Sequence, residues 1–390
     1  MRFIIESSTI PIYKRIALAF GNALSEIGHE VIFISQINDH SLESIKQINE
    51  LNADYYFSTN EYNLIQKYHE ESNEFYFEKI KSKIIFIHHD NIFANLRDVE
   101  LIKNKCLALK NIEHKSLHFC IEDTNIEDLR ELGFKNVHKI WHASELQPLT
   151  VEKPEYRISF VGHFFPSLDA YPKTKIGKEL PIHLVAYKHK QNNLGFEASK
   201  YYENLVRQDK TVPTDPLSQF AHKQVLIDGF TELTLPMRGE VLNAINAEKI
   251  DVFGGDLSQS MDRKSPYKIQ NEKFNYYLPT LEYTDVNQVY ANTKFNINIS
   301  SFQMDSAVNN RIIDVISSGG FVLTDKKNDL IKISEVFDEV TFSNSNELNG
   351  LIDKFSLNTN FYSEIKNNLF ESVNNKFTYA NQISEVIKFI

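Results

Sequence analysis

The sequence predicts an α/β protein made of two doubly wound, Rossmann-like domains facing each other across a cleft. Three observations predict it. The chain has 390 residues, too many for one ordinary domain and enough for two. Over residues 1–150 short apolar runs alternate with segments of helical periodicity, the rhythm of a parallel sheet with crossover helices. A second series of the same kind starts near Tyr156.

In the first series Arg2–Ile5 reads as a strand. Ile12–Ile27 reads as a helix, because Ile16, Ala17, Ala19, Phe20, Ala23, Leu24 and Ile27 recur at helical spacing and Gly28 follows them. Glu30–Ser35, Ala53–Ser58, Lys83–His88, Leu117–Ile121 and Val137–Trp141 read as further strands, with a helix at Glu122–Leu132 closed by Gly133. The polar, proline-bearing stretch Gln147–Pro154 sets the boundary. The domains are then 1–150 and 151–375, with 376–390 a last helix that crosses back to the first. In the second series Arg157–Gly162, Lys249–Phe253, Lys294–Ile299, Gly320–Thr324 and Glu339–Phe342 read as strands. Helices lie between them, clearest at Arg238–Ala247 and Asn309–Ser318. Residues 170–236 break the rhythm. They carry five of the eleven prolines, a basic segment (Lys188, His189, Lys190) and helical patterns near Glu197–Arg207 and Pro216–Leu226. They read as an insertion in the second domain: either a solvated embellishment or the shaper of an acceptor site or partner surface.

Composition narrows the function classes. At 42% hydrophobic and 24% charged residues the chain is neither disordered nor fibrous. A balance of 42 Lys+Arg against 52 Asp+Glu, net −10, argues against duplex nucleic acid as a partner unless the lysines of 173–190 form a patch. It leaves peripheral membrane contact open. Cys106 and Cys120 make neither a disulfide framework nor a zinc site. The first apolar run stops at Glu6, and no stretch approaches the roughly 18 apolar residues of a spanning helix. These features together read as a cytoplasmic protein.

In doubly wound sheets ligands bind outside the carboxyl ends of the strands. In the first domain those ends hold Glu6, Ser7, Ser8 and Thr9; Ser58, Thr59 and Asn60; His88, His89 and Asp90; and Glu122 with Asp123. In the second they hold Gly162, His163 and Phe164; Gly254, Gly255 and Asp256; Ser300 and Ser301; and Asp325, Lys326 and Lys327. The densest constellation is Ile297–Asp325. A helix starting near Ala307 would carry Asn309, Asn310 and Arg311 in its first turn, where free N–H groups and a guanidinium suit a phosphate. Asp314, three residues on and on the same face, suits a ribose diol. Spacing alone leaves an equal alternative, an Arg–Asp pair on an ordinary helix surface. Asp90 could take a proton from an acceptor hydroxyl, or simply cap the next helix.

The residues Val289-Tyr290-Ala291-Asn292, Phe295-Asn296-Ile297-Asn298, and Arg311-Ile312-Ile313-Asp314 followed by Ser318-Gly319-Gly320-Phe321-Val322 resemble, in that order, the signature of glycosyltransferases with the GT-B fold. More narrowly they are similar to the CgeB-like, group 1 glycosyl transferases. Ser159-Phe160-Val161-Gly162, Asp251-Val252-Phe253-Gly254-Gly255, Gly28-His29-Glu30-Val31 and the terminal Phe377-Thr378-Tyr379-Ala380 fit the same pattern. The chain departs from it in having Asp314 where Glu is commoner, and Ser306 beside Asp305 where the retaining pattern has a glutamate.

The resemblance implies transfer of a sugar from a nucleotide-diphosphate donor, UDP- or GDP-linked, to a hydroxyl of a glycan, protein or small molecule. It implies that Gly162, His163, Gly254, Gly255, Asn309, Asn310, Arg311 and Asp314 bind the donor. Ser8 and Thr9 would meet phosphate or acceptor. Asp90 is the favoured base, with His89 and His88 as alternatives. No cofactor beyond the donor is expected. No metal is expected either: there is no Asp-x-Asp, and neighbouring strand residues such as His88 and His89 point to opposite faces. Two rivals share this reading's architecture, a sugar-nucleotide epimerase and a non-catalytic binding or assembly protein.

Overall fold

The computed structural model describes every residue except 9, 36–40, 60–73, 173–178, 257–271 and 278–282. The described elements along the chain begin with β1 (Arg2–Ser7), α1 (Pro11–Glu26), β2 (Glu30–Ser35), α2 (Leu42–Glu50), β3 (Tyr55–Thr59), β4 (Lys83–His88), α3 (Val99–Asn111), β5 (Ser116–Cys120), α4 (Asp123–Glu131) and β6 (Val137–Lys139). They continue with β7 (Tyr156–Phe164), α5 (Leu180–Asn192), α6 (Ala198–Gln208), α7 (Pro216–Thr231), α8 (Thr234–Ala244), β8 (Ile250–Asp256), β9 (Phe274–Tyr277), α9 (Tyr283–Ala291) and β10 (Thr293–Asn298). The last are α10 (Asn310–Ser317), β11 (Val322–Asp325), α11 (Asn328–Ile333), β12 (Thr341–Phe342), α12 (Ser345–Leu357), α13 (Thr359–Val373) and α14 (Tyr379–Ile387). They form two units. Unit 1 is Met1–His142, Tyr202–Asp228 and Thr378–Ile390; unit 2 is Ala143–Tyr201 and Gly229–Phe377.

Unit 1 is built on a sheet of order β2-β1-β3-β4-β5-β6 with every pair parallel. Inner strands of such a sheet are covered on both faces, so they read as continuous apolar runs; in β4 only Lys83 is exposed. Strand β2, at the edge, is only partly covered. Helix α1 starts with Pro11 and turns Ile16, Ala17, Ala19, Phe20, Ala23 and Leu24 inward. Gly28, at φ +86°, ends that turn. The returning α14 sets Tyr379 edge-on to Phe20 at 5.0 Å, and the Trp141 N–H donates to Gln382 Oε1 at 3.2 Å.

The second sheet, in unit 2, has order β12-β11-β10-β7-β8-β9, again all parallel. The chain enters this unit at residue 143, ahead of the expected boundary at 147–154. Hydrogen bonds explain why. The Ser144 N–H donates to Phe377 O at 2.9 Å, Leu149 N–H to Ser318 O at 3.1 Å, and Asn287 Nδ2 to Gln147 O at 3.1 Å.

The segment 170–236 is divided between the units, with 202–228 belonging to unit 1. There Lys223 of α7 pairs with Asp128 of α4, Asn91 Nδ2 donates to Gln224 Oε1 at 3.2 Å, and Arg97 Nε donates to Asp228 Oδ2 at 2.9 Å. The basic segment is the end of α5: Lys188 and His189 are exposed, whereas Lys190 is buried and donates to Leu194 O at 3.0 Å. Thr9, Asn60 and the lysines of 173–178 lie outside the described residues.

Candidate functional site

In unit 2 the winding reverses between β7 and β10, so the carboxyl ends of these two strands flank the natural ligand crevice. Strand β7 ends in Gly162, His163 and Phe164. Gly162 has φ +145°, and a Cβ there would sit 3.2 Å from Arg311 Nη2. Its register partner Gly254 has φ +131°, and a Cβ there would lie 2.5 Å from the Gly162 carbonyl oxygen. The neighbouring strand therefore requires glycine at 254. Gly255 is the register partner of His163.

Asn298, the last residue of β10, is fully buried and organises the other side. Its Oδ1 accepts from Arg311 Nη1 at 2.7 Å and from Asn309 Nδ2 at 3.0 Å, while its Nδ2 donates to Thr324 Oγ1 at 2.9 Å. Asp325 accepts from the Ser300 N–H and hydroxyl, both at 2.9 Å. The buried Lys327 ammonium lies 3.6 Å from Asp325 and donates to Met304 O at 2.8 Å.

A second guanidinium converges on the same place. Arg238 of α8 donates from Nε to Ile299 O at 3.1 Å and from Nη1 to His163 O at 3.3 Å. Arg311 and Arg238 both stand over the Phe160 ring, 5.7 and 6.0 Å from its centre. Burial, and then the nearby Arg311 charge, push the Arg238 guanidinium down to about 9, against the pull of Asp325. It remains a cation at neutral pH. Two cations this close repel, and an anion shared between them would relieve that repulsion.

Helix α10 begins at Asn310 rather than near Ala307, because the Asn309 side chain caps it by accepting from the Ile312 N–H at 3.3 Å. Asp314 is buried; the Tyr283 hydroxyl donates to its Oδ1 and Asn310 Nδ2 to its Oδ2 at 3.4 Å. Arg311 thus reaches back to Asn298 while Asp314 reaches Tyr283, so the spacing encodes something other than a solvated surface pair. Asp305 caps α6 from a distance, accepting from the Ala198 and Ser199 N–H groups at 2.9 and 2.7 Å.

In unit 1 the winding reverses between β1 and β3. Glu6 is buried there and accepts from the Ser58 hydroxyl at 3.3 Å. Ser8 is buried too, its Oγ accepting from the Ile10 N–H at 3.1 Å in front of α1. Strand β4 ends at His88, and the strand period sends His88 and His89 to opposite faces. His88 is 1% exposed and packs into the core, its ring parallel to that of His118 and Nε2 3.1 Å from His118 Nδ1. Burial holds it neutral, well below the usual histidine range.

His89 is buried on the other face, stacked on His142 at 5.4 Å; burial, His142 and Arg15 hold it neutral as well. Asp90 lies half-buried just beyond the strand and accepts from the Tyr13 hydroxyl. Among the described residues no three His, Cys, Asp or Glu side chains gather as metal ligands. Sequence reasoning missed Arg238, Asn298 and Tyr13 as site residues. The only signals were a strand-end asparagine and an arginine heading a predicted helix.

Residues 238–388 match the glycosyl transferase-like family. In structure the whole chain is similar to the DNA-modifying enzyme β-glucosyltransferase, solved in the presence and absence of uridine diphosphoglucose: the TM-score is 0.54 and identity 12%, over 100% of this chain and 99% of that one. T4 phage BGT in complex with UDP and Mn2+ gives the same TM-score, 0.54, at 12% identity, again covering 100% and 99% of the two chains. Anabaena Alr3699/HepE in complex with UDP matches at TM-score 0.55 and 11% identity, over 100% of both chains. The fold is GT-B. The family match within this GT-B chain contains Arg238, Asn298, Arg311 and Asp314, and so most of the unit 2 constellation. No curated protein matches the sequence. Among the described residues no helix is long and apolar enough to cross a membrane.

Proposed function

We propose that the protein is a glycosyltransferase that moves a sugar from a UDP-sugar to an acceptor hydroxyl. One observation carries the reading: Arg238 and Arg311, both inside the segment that matches the glycosyl transferase-like family, converge over Phe160 at the switch point of unit 2, beside a glycine-ended strand. Negative charge grows on the diphosphate as its bond to the sugar breaks. Two fixed guanidiniums would stabilise that charge more than they stabilise the bound donor. Asp314, oriented by Tyr283 and Asn310, would accept from the ribose hydroxyls. The missing side chain at Gly162 would let phosphate approach the backbone. Unit 1 would take the acceptor, with Asp90 removing the hydroxyl proton. The preference for UDP is supported by the UDP and UDP-glucose complexes of the structural relatives.

The same arginine pair would supply the positive charge that a divalent ion supplies in other transferases, so the reading needs no metal. The T4 phage enzyme has been solved with UDP and Mn2+, which makes this a matter for direct test. Calorimetry with UDP and UDP-glucose should show Arg311→Ala and Arg238→Ala binding about tenfold or more weakly, the usual loss for a charge-assisted hydrogen bond. Unchanged affinity in both variants would overturn the donor site. UDP release in the presence of an acceptor panel should persist in EDTA. Complete loss, restored by manganese or magnesium, would overturn metal-independent transfer.

A further inference from the structure

We infer that Tyr13 is the positioning residue of the reacting end: it holds the Asp90 carboxylate in the orientation that receives the acceptor's proton. The inference rests on the proposed reading of Asp90 as base. Tyr13 stands in the first turn of α1, immediately past the chain reversal after β1, and Asp90 stands 77 residues on, just past the end of β4. Both are half-buried, and the hydroxyl of Tyr13 donates to Asp90 Oδ2. That bond fixes rotation about the aspartate Cβ–Cγ bond, and so fixes the direction of Oδ1. This is the arrangement of base and orienting group that recurs in hydroxyl activation.

Arg15 on α1 carries a permanent charge. His89 in the same segment and His142 beyond β6 are buried and neutral, with Arg15 and Lys139 adding to the effect of burial. In the step itself the acceptor O–H proton passes to Asp90 Oδ1. The acceptor oxygen bonds to the anomeric carbon, the bond from that carbon to the diphosphate oxygen breaks, and the electron pair leaves on UDP. No oxidant or further reactant is needed.

The test compares Tyr13→Phe with Asp90→Asn by UDP release from UDP-glucose. Tyr13→Phe should lower kcat about tenfold or more. The Kd for UDP-glucose should be unchanged. Placing 3-fluorotyrosine at position 13, which keeps the ring and the donor, should restore kcat. Unchanged Trp141 emission would show that unit 1 is folded in both. Asp90→Asn should lower turnover at least about 100-fold. If Asp90→Asn is inactive while Tyr13→Phe leaves kcat unchanged, the role of Tyr13 is overturned and Asp90 stands. A fall in kcat that 3-fluorotyrosine does not reverse, or that comes with a weaker Kd for UDP-glucose, also overturns it, since a purely structural role would do that. If Asp90→Asn turns over normally, the base assignment itself fails and takes the inference with it.

Discussion

Arg311 carries a flexible side chain, and Asn298 is what makes it a fixed charge. The Asn298 side chain is fully buried, with its oxygen shared between Arg311 and Asn309 and its amide on Thr324. Asn298→Ala removes the acceptor from both partners at once. It should weaken UDP binding about tenfold and cost on the order of 1–3 kcal/mol of stability through the groups left unpaired. Calorimetry and denaturant melts read the two effects separately, and wild-type affinity in a folded Asn298→Ala protein would show that the guanidinium holds itself. Gly254 fails by a different mechanism. At φ +131° and with the Gly162 carbonyl 2.5 Å from where a Cβ would stand, Gly254→Ala must bend β8 or push Gly162. Strain of this kind costs about 1–3 kcal/mol, and displacing Gly162 also disturbs the wall beside Arg311. Gly254→Ala should therefore lose both stability and donor affinity, whereas Gly350→Ala, where a Cβ meets nothing within 4 Å, should lose neither.

At the scale of elements, the docking of α7 on unit 1 turns on a buried ion pair. Lys223 and Asp128 side chains are 7% and 9% exposed, and Gln224 Nε2 donates to the second carboxylate oxygen at 3.1 Å. Burial raises the Asp128 pKa even beside Lys223. Removing one partner leaves an uncompensated buried charge, so Lys223→Met should destabilise unit 1 by about 3–5 kcal/mol, while Lys223→Met with Asp128→Leu should recover most of it. Trp141, the single tryptophan, lies in unit 1 and reports its unfolding by fluorescence. Equal losses in the single and double variants would deny the pair its role. The same elements show what a sequence reveals. Strand β4 is legible to the residue, because a parallel strand buried on both faces is an uninterrupted apolar run. Strand β9 is not: it has four residues, and Tyr276 and Tyr277 are 38% and 39% exposed. Helix α5 is hidden because its last turn looks basic, although Lys190 buries its stem and sends its ammonium to a carbonyl. Arg311 and Asp314 stand out because one helix face carries them both. Arg238 meets His163 and Ile299 at separations of 75 and 61 residues, and Tyr13 meets Asp90 at 77, so no local pattern encodes those meetings.

For the molecule as a whole, two electrostatic effects of opposite sign compete as pH falls. With a net charge of −10 and a pI near 5.8, acidification toward the pI discharges the surface and relieves self-repulsion, which favours the folded state. The buried histidines of unit 1 work against it. Burial pushes His118 down to about 3 and His142 to about 4, and holds His88 and His89 well below the ordinary range. Unfolded, each would take up a proton near pH 6.5; folded, His142 stays neutral to about 4 and His118 to about 3. Between those limits the unfolded chain binds more protons. Stability is therefore complete above about pH 6.5 and declines as pH drops, by up to about 1.4 kcal/mol per pH unit for each such group. Surface repulsion is screened beyond about 8 Å at physiological salt, whereas the desolvation that keeps these rings neutral is not. The histidines should win. The urea midpoint from Trp141 fluorescence should fall steadily from pH 6.5 to 5, a window in which ordinary carboxylates remain mostly ionised. Raising the salt concentration should leave that slope standing, and His142→Phe should make it shallower by about one proton. A midpoint that holds constant or rises over this window would mean that surface discharge outweighs the buried rings.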